Sequence, residues 1–232
     1  NSNTTANNNT AVGYQAGYSN TTGTRNTYMG DGSGYSNSTS NDNSAFGQNS
    51  QNASIGSHNS SFGASSLRVN TSGANNTSLG GYSMRLNTTG SNNVAVGKEA
   101  LYYNTTASEN TAVGFQALLS NTTASYNTAI GYQSGYNGTT AYQNTYIGAF
   151  SGKEVTTGNA NVGVGMEAVR KTTTGQFNTG LGFQALLSNT TANENTAVGY
   201  QSLYNNTTGA ENTAVGKNAL NYNTTANGNT AV

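Results

Sequence analysis

Residues Asn110 to Tyr126 read N-T-A-V-G-F-Q-A-L-L-S-N-T-T-A-S-Y, and the next residue, Asn127, opens the same phrase again. The signature N-x-x-φ-G, with φ apolar, runs along the whole chain. Its asparagine falls at Asn9, Asn26, Asn43, Asn52, Asn59, Asn76, Asn93, Asn110, Asn127, Asn144, Asn161, Asn178, Asn195, Asn212 and Asn229. Twelve of the fourteen intervals are 17 residues and the other two are 9 and 7. Self-similarity at a fixed period is the mark of a repeat architecture, in which each unit buries its apolar side only by stacking on its neighbours.

With that asparagine as position 1, each column has its own chemistry. Position 4 is apolar and position 3 is mostly small (Ala11, Ser61, Ala95, Gly180), with tyrosine at Tyr28 and Tyr146. Position 5 is glycine at Gly13, Gly30, Gly47, Gly63, Gly80, Gly97, Gly114, Gly131, Gly148, Gly165, Gly182, Gly199 and Gly216. Position 8 is Ala or Ser, position 9 is Leu, Met, Val or Gly, and positions 12 to 14 are usually N-T-T.

Seventeen residues are too few for two packed helices, and Asn, Thr and Gly are poor helix formers. T-A-V-G suits a short strand. Gly at position 5 permits positive φ or close approach of the next coil. N-T-T followed by Ala or Gly is turn chemistry, because Asn and Thr side chains bond nearby backbone groups. The pattern predicts an all-β parallel β-solenoid (β-roll) over 1–232, a single repeat domain of about thirteen coils assembled as a rod. Stacked in register, Asn9, Asn26, Asn43, Asn59, Asn76, Asn93, Asn110, Asn127, Asn144, Asn161, Asn178, Asn195 and Asn212 are expected to form an amide ladder.

Only position 4, position 9 and some position 6 aromatics (Tyr14, Phe115, Tyr132, Phe183, Tyr200) are large enough to fill an interior, while small positions 3 and 8 suggest a surface that another backbone approaches. So thin a core predicts association of chains, with a homotrimer expected. Residues 43–58 carry the signature twice in 16 residues, N-S-A-F-G and N-A-S-I-G. They are expected to form one irregular coil whose second half repeats the strand of its first. The chain begins and ends inside a repeat, which predicts a window on a longer fibre.

Composition fits the same picture. The 232 residues include 39 Asn, 36 Thr and 30 Gly, with 7% charged residues, eight basic against eight acidic, and no Pro, Cys or Trp. Disordered chains are richer in charge and Pro. A nucleic-acid binder needs a basic stripe, and a membrane helix needs about 18 consecutive apolar residues; neither pattern is present.

N-S-A-F-G, N-A-S-I-G and N-T-A-V-G resemble the N-S-V-A-I-G core of the head repeats of trimeric autotransporter adhesins (YadA-like heads). The longer unit N-T-A-V-G-Y-Q-A-L-x-x-N-T-T-G is similar to repeats of phage tail-fibre-like surface proteins. The resemblance implies left-handed parallel β-rolls assembled as trimers, outside the cell, on a cell surface, a virion fibre or a secreted fibril.

Chemistry-bearing residues are sparse. His58 is the only histidine, and its sequence neighbourhood offers it no acid or nucleophile. Acidic residues are scattered, the recurrent Asp of a calcium-binding β-roll is missing, and G-D-G-S-G at Gly30 to Gly34 lacks the Lys and helix of a phosphate loop. No catalytic residue, metal site or cofactor is expected, and the chain is read as a non-enzyme. Sequons for N-glycosylation begin at Asn3, Asn20, Asn37, Asn70, Asn87, Asn104, Asn121, Asn137, Asn189, Asn206 and Asn223. The leading expectation is a structural fibre segment that presents a surface to a host receptor or surface glycan. A self-assembling fibril coated with covalent glycans is the alternative. A lesser one is ice binding, from Thr at position 2 in ten of fifteen repeats.

Overall fold

The computed structural model describes residues 4–232. The chain is an all-β parallel β-solenoid of about thirteen turns, with one short strand per turn and fourteen strands among the described residues. Among the described residues no helix forms. Contacts divide the chain into two compact units, Asn1–Val113 and Gly114–Val232. The first holds β1 (Thr10–Val12), β2 (Thr27–Met29), β3 (Ser44–Phe46), β4 (Ser60–Phe62), β5 (Thr77–Leu79), β6 (Val94–Val96) and β7 (Thr111–Val113). The second holds β8 (Thr128–Ile130), β9 (Thr145–Ile147), β10 (Val162–Val164), β11 (Thr179–Leu181), β12 (Thr196–Val198), β13 (Thr213–Val215) and β14 (Thr230–Ala231).

Within each unit, like position stacks on like: Ser78 lies opposite Ala95 and Leu79 opposite Val96, and Ala197 lies opposite Ala214. Pairing continues around the coil outside the strands. In the first unit the Tyr82 amide donates to the Ala64 carbonyl at 2.9 Å and the Thr88 amide to the Thr105 carbonyl at 2.8 Å. Backbone groups inside so small a coil have no water to turn to, so each must be met by the coil above or below.

The direction of the strand side chains corrects the expected interior. Position 3 points inward, with Ala45, Ala95, Ala112, Ala129 and Ala197 fully buried. Position 4 points outward: Val12 is 54% exposed, and Met29, Phe62, Leu79, Ile130, Ile147 and Leu181 are exposed too. The physical reason is room. The coil is closed so tightly that its inside holds position 3, the Ala or Ser of position 8, one Leu or Met at position 9 and two asparagines, but no second row of branched side chains. The small residues of positions 3 and 8 are this inner packing, not an outer contact surface.

Two tyrosines break the size rule and are accommodated locally. Tyr28 and Tyr146 occupy position 3 and are buried. A Cβ on Gly34 would lie 2.4 Å from the Tyr28 ring and one on Gly17 2.9 Å away; Gly152 and Gly135 stand to Tyr146 at 2.5 and 3.1 Å. All four position 9 glycines thus make space for a tyrosine in their own coil or the following one. Burial pushes both phenols above their ordinary pKa, so they stay neutral.

The coil also bends at non-glycine residues. In one coil Glu99, Leu101 and Glu109, at positions 7, 9 and 17, have φ of 59°, 51° and 60°. Left-handed backbone costs about 1–2 kcal/mol at such residues, which a lone coil could not hold against its disorder. Only stacking repays it.

The irregular coil departs from expectation as well. Asn52 to Gly56 repeats the signature yet forms no strand. The Asn52 side chain donates to the Gly32 carbonyl at 3.0 Å and stands apart from the asparagine column. Ile55 takes position 13, its amide bonded to the Thr71 carbonyl at 3.0 Å, and the coil skips position 14. Gln51, buried at position 9 where the other coils carry Leu, Met, Val or Gly, donates to the Asn59 carbonyl at 3.1 Å.

Candidate functional site

Position 1 carries the inner seam of the coil. The Asn76 amide N–H donates to Asn59 Oδ1 at 2.9 Å, Asn93 to Asn76 at 3.0 Å and Asn110 to Asn93 at 3.0 Å. The second unit repeats this from Asn144 on Asn127 to Asn229 on Asn212, with bonds of 2.8–3.1 Å. The main rung is therefore side-chain oxygen to backbone N–H. Amide-to-amide bonds such as Asn195 Nδ2 to Asn178 Oδ1, at 3.2 Å, accompany it. In most coils Nδ2 also crosses its own coil to the position 15 carbonyl, as from Asn178 to Ala192 at 2.9 Å. Asn9, Asn26 and Asn43 belong to the same column, with Asn26 and Asn43 fully buried.

The position 5 glycines stand beside that seam with φ of 125–137°. A Cβ on Gly182 would lie 2.5 Å from the Gly199 carbonyl oxygen. This region of φ is essentially glycine's alone.

The sequon asparagines at position 12 face into the coil. Asn20, Asn37, Asn70, Asn87, Asn104, Asn121, Asn189 and Asn206 are buried at position 12. There they form a second inner column. Asn87 Nδ2 donates to Asn70 Oδ1 and Asn104 Nδ2 to Asn87 Oδ1, both at 2.7 Å. A sugar on any of these nitrogens would have to occupy the interior of the coil, so in the folded chain they are ladder groups and not glycan acceptors. Asn223, half-buried, donates to Asn206 Oδ1 at 3.0 Å. Asn137 sits one place earlier, at position 11, and is half-buried, while Asn3 lies outside the described residues.

The outward side of the strands carries what the interior excludes. Positions 2 and 4 form neighbouring columns, threonine beside aliphatic or aromatic, and position 6 adds rings. Phe46 stacks on Phe62 with centroids 4.7 Å apart; Phe183 stacks on Tyr200 at 5.4 Å. Tyr14 is 73% exposed, and Tyr132, Met166 and Tyr200 are exposed. Positions 2 and 4 hold no charged residue anywhere in the chain. Contiguous exposed apolar patches on a soluble chain mark interaction surfaces.

Charged groups gather by stacking in ways their sequence distance hides. Arg25 Nε lies 2.6 Å from Asp42, and His58, for which the sequence offered no acid, has Nε2 3.5 Å from the same carboxylate. The Arg25 hydrogen bond holds the Asp42 carboxyl below its ordinary pKa. Among the described residues no group of three His, Cys, Asp or Glu side chains could hold a metal ion. Nor is any helix long and apolar enough to cross a membrane. No protein-family model matches the chain, and no curated protein matches it significantly.

Proposed function

We propose that the chain is a structural repeat segment of an extracellular fibre, which associates with further copies of itself and presents a surface for attachment. The observation that carries this reading is the outward apolar column at position 4. The largest aliphatic side chains of the strands lie outside, one per coil, on an uncharged face, while the inside is filled by Ala, Ser and Asn with a Leu, Met or Val at position 9 of most coils. Such a face fits a second copy of the same chain best, because only another stack with the same rise per coil offers an apolar residue to meet each of these. Burying a Leu or Ile there is worth about 1.5–3 kcal/mol relative to leaving it in water, and the column repeats that gain coil by coil. Three copies per assembly is the expected number.

Analytical ultracentrifugation of the whole chain tests this. The wild type sediments as an oligomer, and Ile147→Glu combined with Leu181→Glu shifts it to monomer with its β spectrum unchanged. A wild type that stays monomeric as concentration is raised ends the proposal.

One observation supports a second reading, ice binding: the position 2 threonines share the outward face with position 4. Ser44, Ser60, Val94 and Val162 interrupt the column. Absence of thermal hysteresis at high protein concentration removes it.

A further inference from the structure

Position 10 faces out on the turn side of the coil and carries a cation on adjacent rungs in both units, with opposite surroundings. In the second unit the pair is Lys153 and Arg170. Arg170 Nε lies 3.3 Å from Glu154 and its Nη1 is bonded to Glu167. Lys153 Nζ is 4.9 Å from the Phe150 ring centre and the Arg170 guanidinium 5.6 Å from it. Both carboxylates lie on Arg170, and Lys153 rests on aromatic rings.

In the first unit the pair is Arg68 and Arg85, one rung apart, the Val69 amide bonding the Arg85 carbonyl at 3.1 Å. Among the described residues neither forms an ion pair. Glu99, the acid of the following coil, lies 3.7 Å from Lys98. Arg85 is held instead by aromatic rings: its guanidinium lies 5.6 Å from the Tyr82 centroid and 5.7 Å from that of Tyr102, and Nη1 donates to the Tyr102 hydroxyl. Tyr103 packs edge-on against Tyr102 at 4.7 Å. Arg85 Nε, like Arg170 Nε, is buried with no hydrogen-bond partner. Tyr82 and Tyr103 are exposed.

We infer that Arg68, Arg85, Tyr82, Tyr102 and Tyr103 form a binding patch for a carboxylated sugar, such as a uronic or sialic acid unit. Two cations on adjacent rungs, neither in an ion pair, in a chain with only eight basic residues, offer an anion a place to bind. Guanidinium groups take a carboxylate in paired hydrogen bonds. Exposed tyrosine rings offer flat surfaces to the apolar face of a pyranose, and their hydroxyls bond its oxygens. A nucleic acid is a poorer fit, because tracking a phosphate backbone takes an extended basic stripe and this chain is neutral overall. The assignment rests on the attachment reading, and the two fail separately. A monomeric chain that binds the acid sugar keeps the patch; an oligomer that binds none keeps the fibre.

Saturation-transfer NMR and isothermal titration of the full chain test the patch. The probes are tetragalacturonate and sialyllactose, with maltotetraose and lactose as neutral counterparts and tetraglutamate as an acidic peptide. At least one of the two acidic sugars binds, and which one identifies the source. Arg85→Gln weakens it about tenfold and Arg68→Gln a few-fold, while Arg170→Gln leaves it unchanged and all three keep the wild-type circular dichroism. The inference is overturned if neither acidic sugar binds, if a neutral sugar or the peptide binds as well, or if Arg170→Gln is as damaging as Arg85→Gln.

Discussion

The strand side and the turn side of the coil each carry an asparagine column, yet only one of them is invariant. Position 1 is asparagine in every coil, whereas position 12 is Ser54, Gly138, Val155 or Thr172 in four. The hydrogen bonds account for the difference. Asn178 Oδ1 accepts the backbone N–H of Asn195, a buried donor with no strand partner, and its Nδ2 reaches the Ala192 carbonyl. Asn189, at position 12, donates to that same carbonyl at 3.1 Å and otherwise to the Thr172 side chain. The carbonyl has two lone pairs and keeps one donor when position 12 changes. Val155 shows the outcome: in its coil Asn144 still donates to the Gly158 carbonyl at 3.0 Å. A side chain that satisfies backbone is indispensable here, and one that satisfies mostly its own column can be traded.

The sharpest way to break this contrast is on the strand side. Gly182→Ala places a Cβ 2.5 Å from the Gly199 carbonyl oxygen at φ of +134°. The expected loss in urea denaturation is about 4 kcal/mol or more, and a change below about 1 kcal/mol would show that the coils do not approach as described. Asn178→Ala orphans the Asn195 N–H and is expected to cost about 3 kcal/mol. Hydrogen exchange at that amide reports it directly and should accelerate. On the turn side, Asn189→Val copies what Val155 already does and should cost about 1 kcal/mol or less. Equal losses for Asn178→Ala and Asn189→Val would erase the distinction between the columns.

The smallest effect is expected where the chain itself has varied. Inserting a threonine between Ile55 and Gly56 restores the skipped position 14, which is exposed in the regular coils. Stability should change by less than about 0.6 kcal/mol, since lengthening a surface turn by one residue adds little closure entropy. A large loss would mean that residues 43–58 are shaped by more than turn length.

Much of this was legible in the order of residues. The 17-residue interval, the strand at T-A-V and the special glycine at position 5 could be read from Asn110 to Tyr126 and its copies along the chain, because each is a local demand repeated until chance is excluded. What faces inward could not. In T-A-V a strand places Thr and Val on one side and Ala on the other, and both orientations satisfy the alternation rule. Apolar bulk argued for Val inside, and the cramped coil chose Ala. The N-T-T element had two readings too, as sequon and as turn, and only closure of the coil showed its asparagine inside.

By itself, then, the order of residues determined the period, the class of fold and the columns that cannot vary, since these depend on which side chains return every 17 residues. Tertiary structure alone decided the contents of those columns' surroundings: Ala inward, Tyr28 lodged over Gly17 and Gly34, left-handed backbone at Leu101, and Arg85 left without an acid while Arg170 found two. The reason is geometric. Each of these depends on how wide the closed coil is and on which residue of the next coil lies above, and neither distance exists until the chain has wound upon itself.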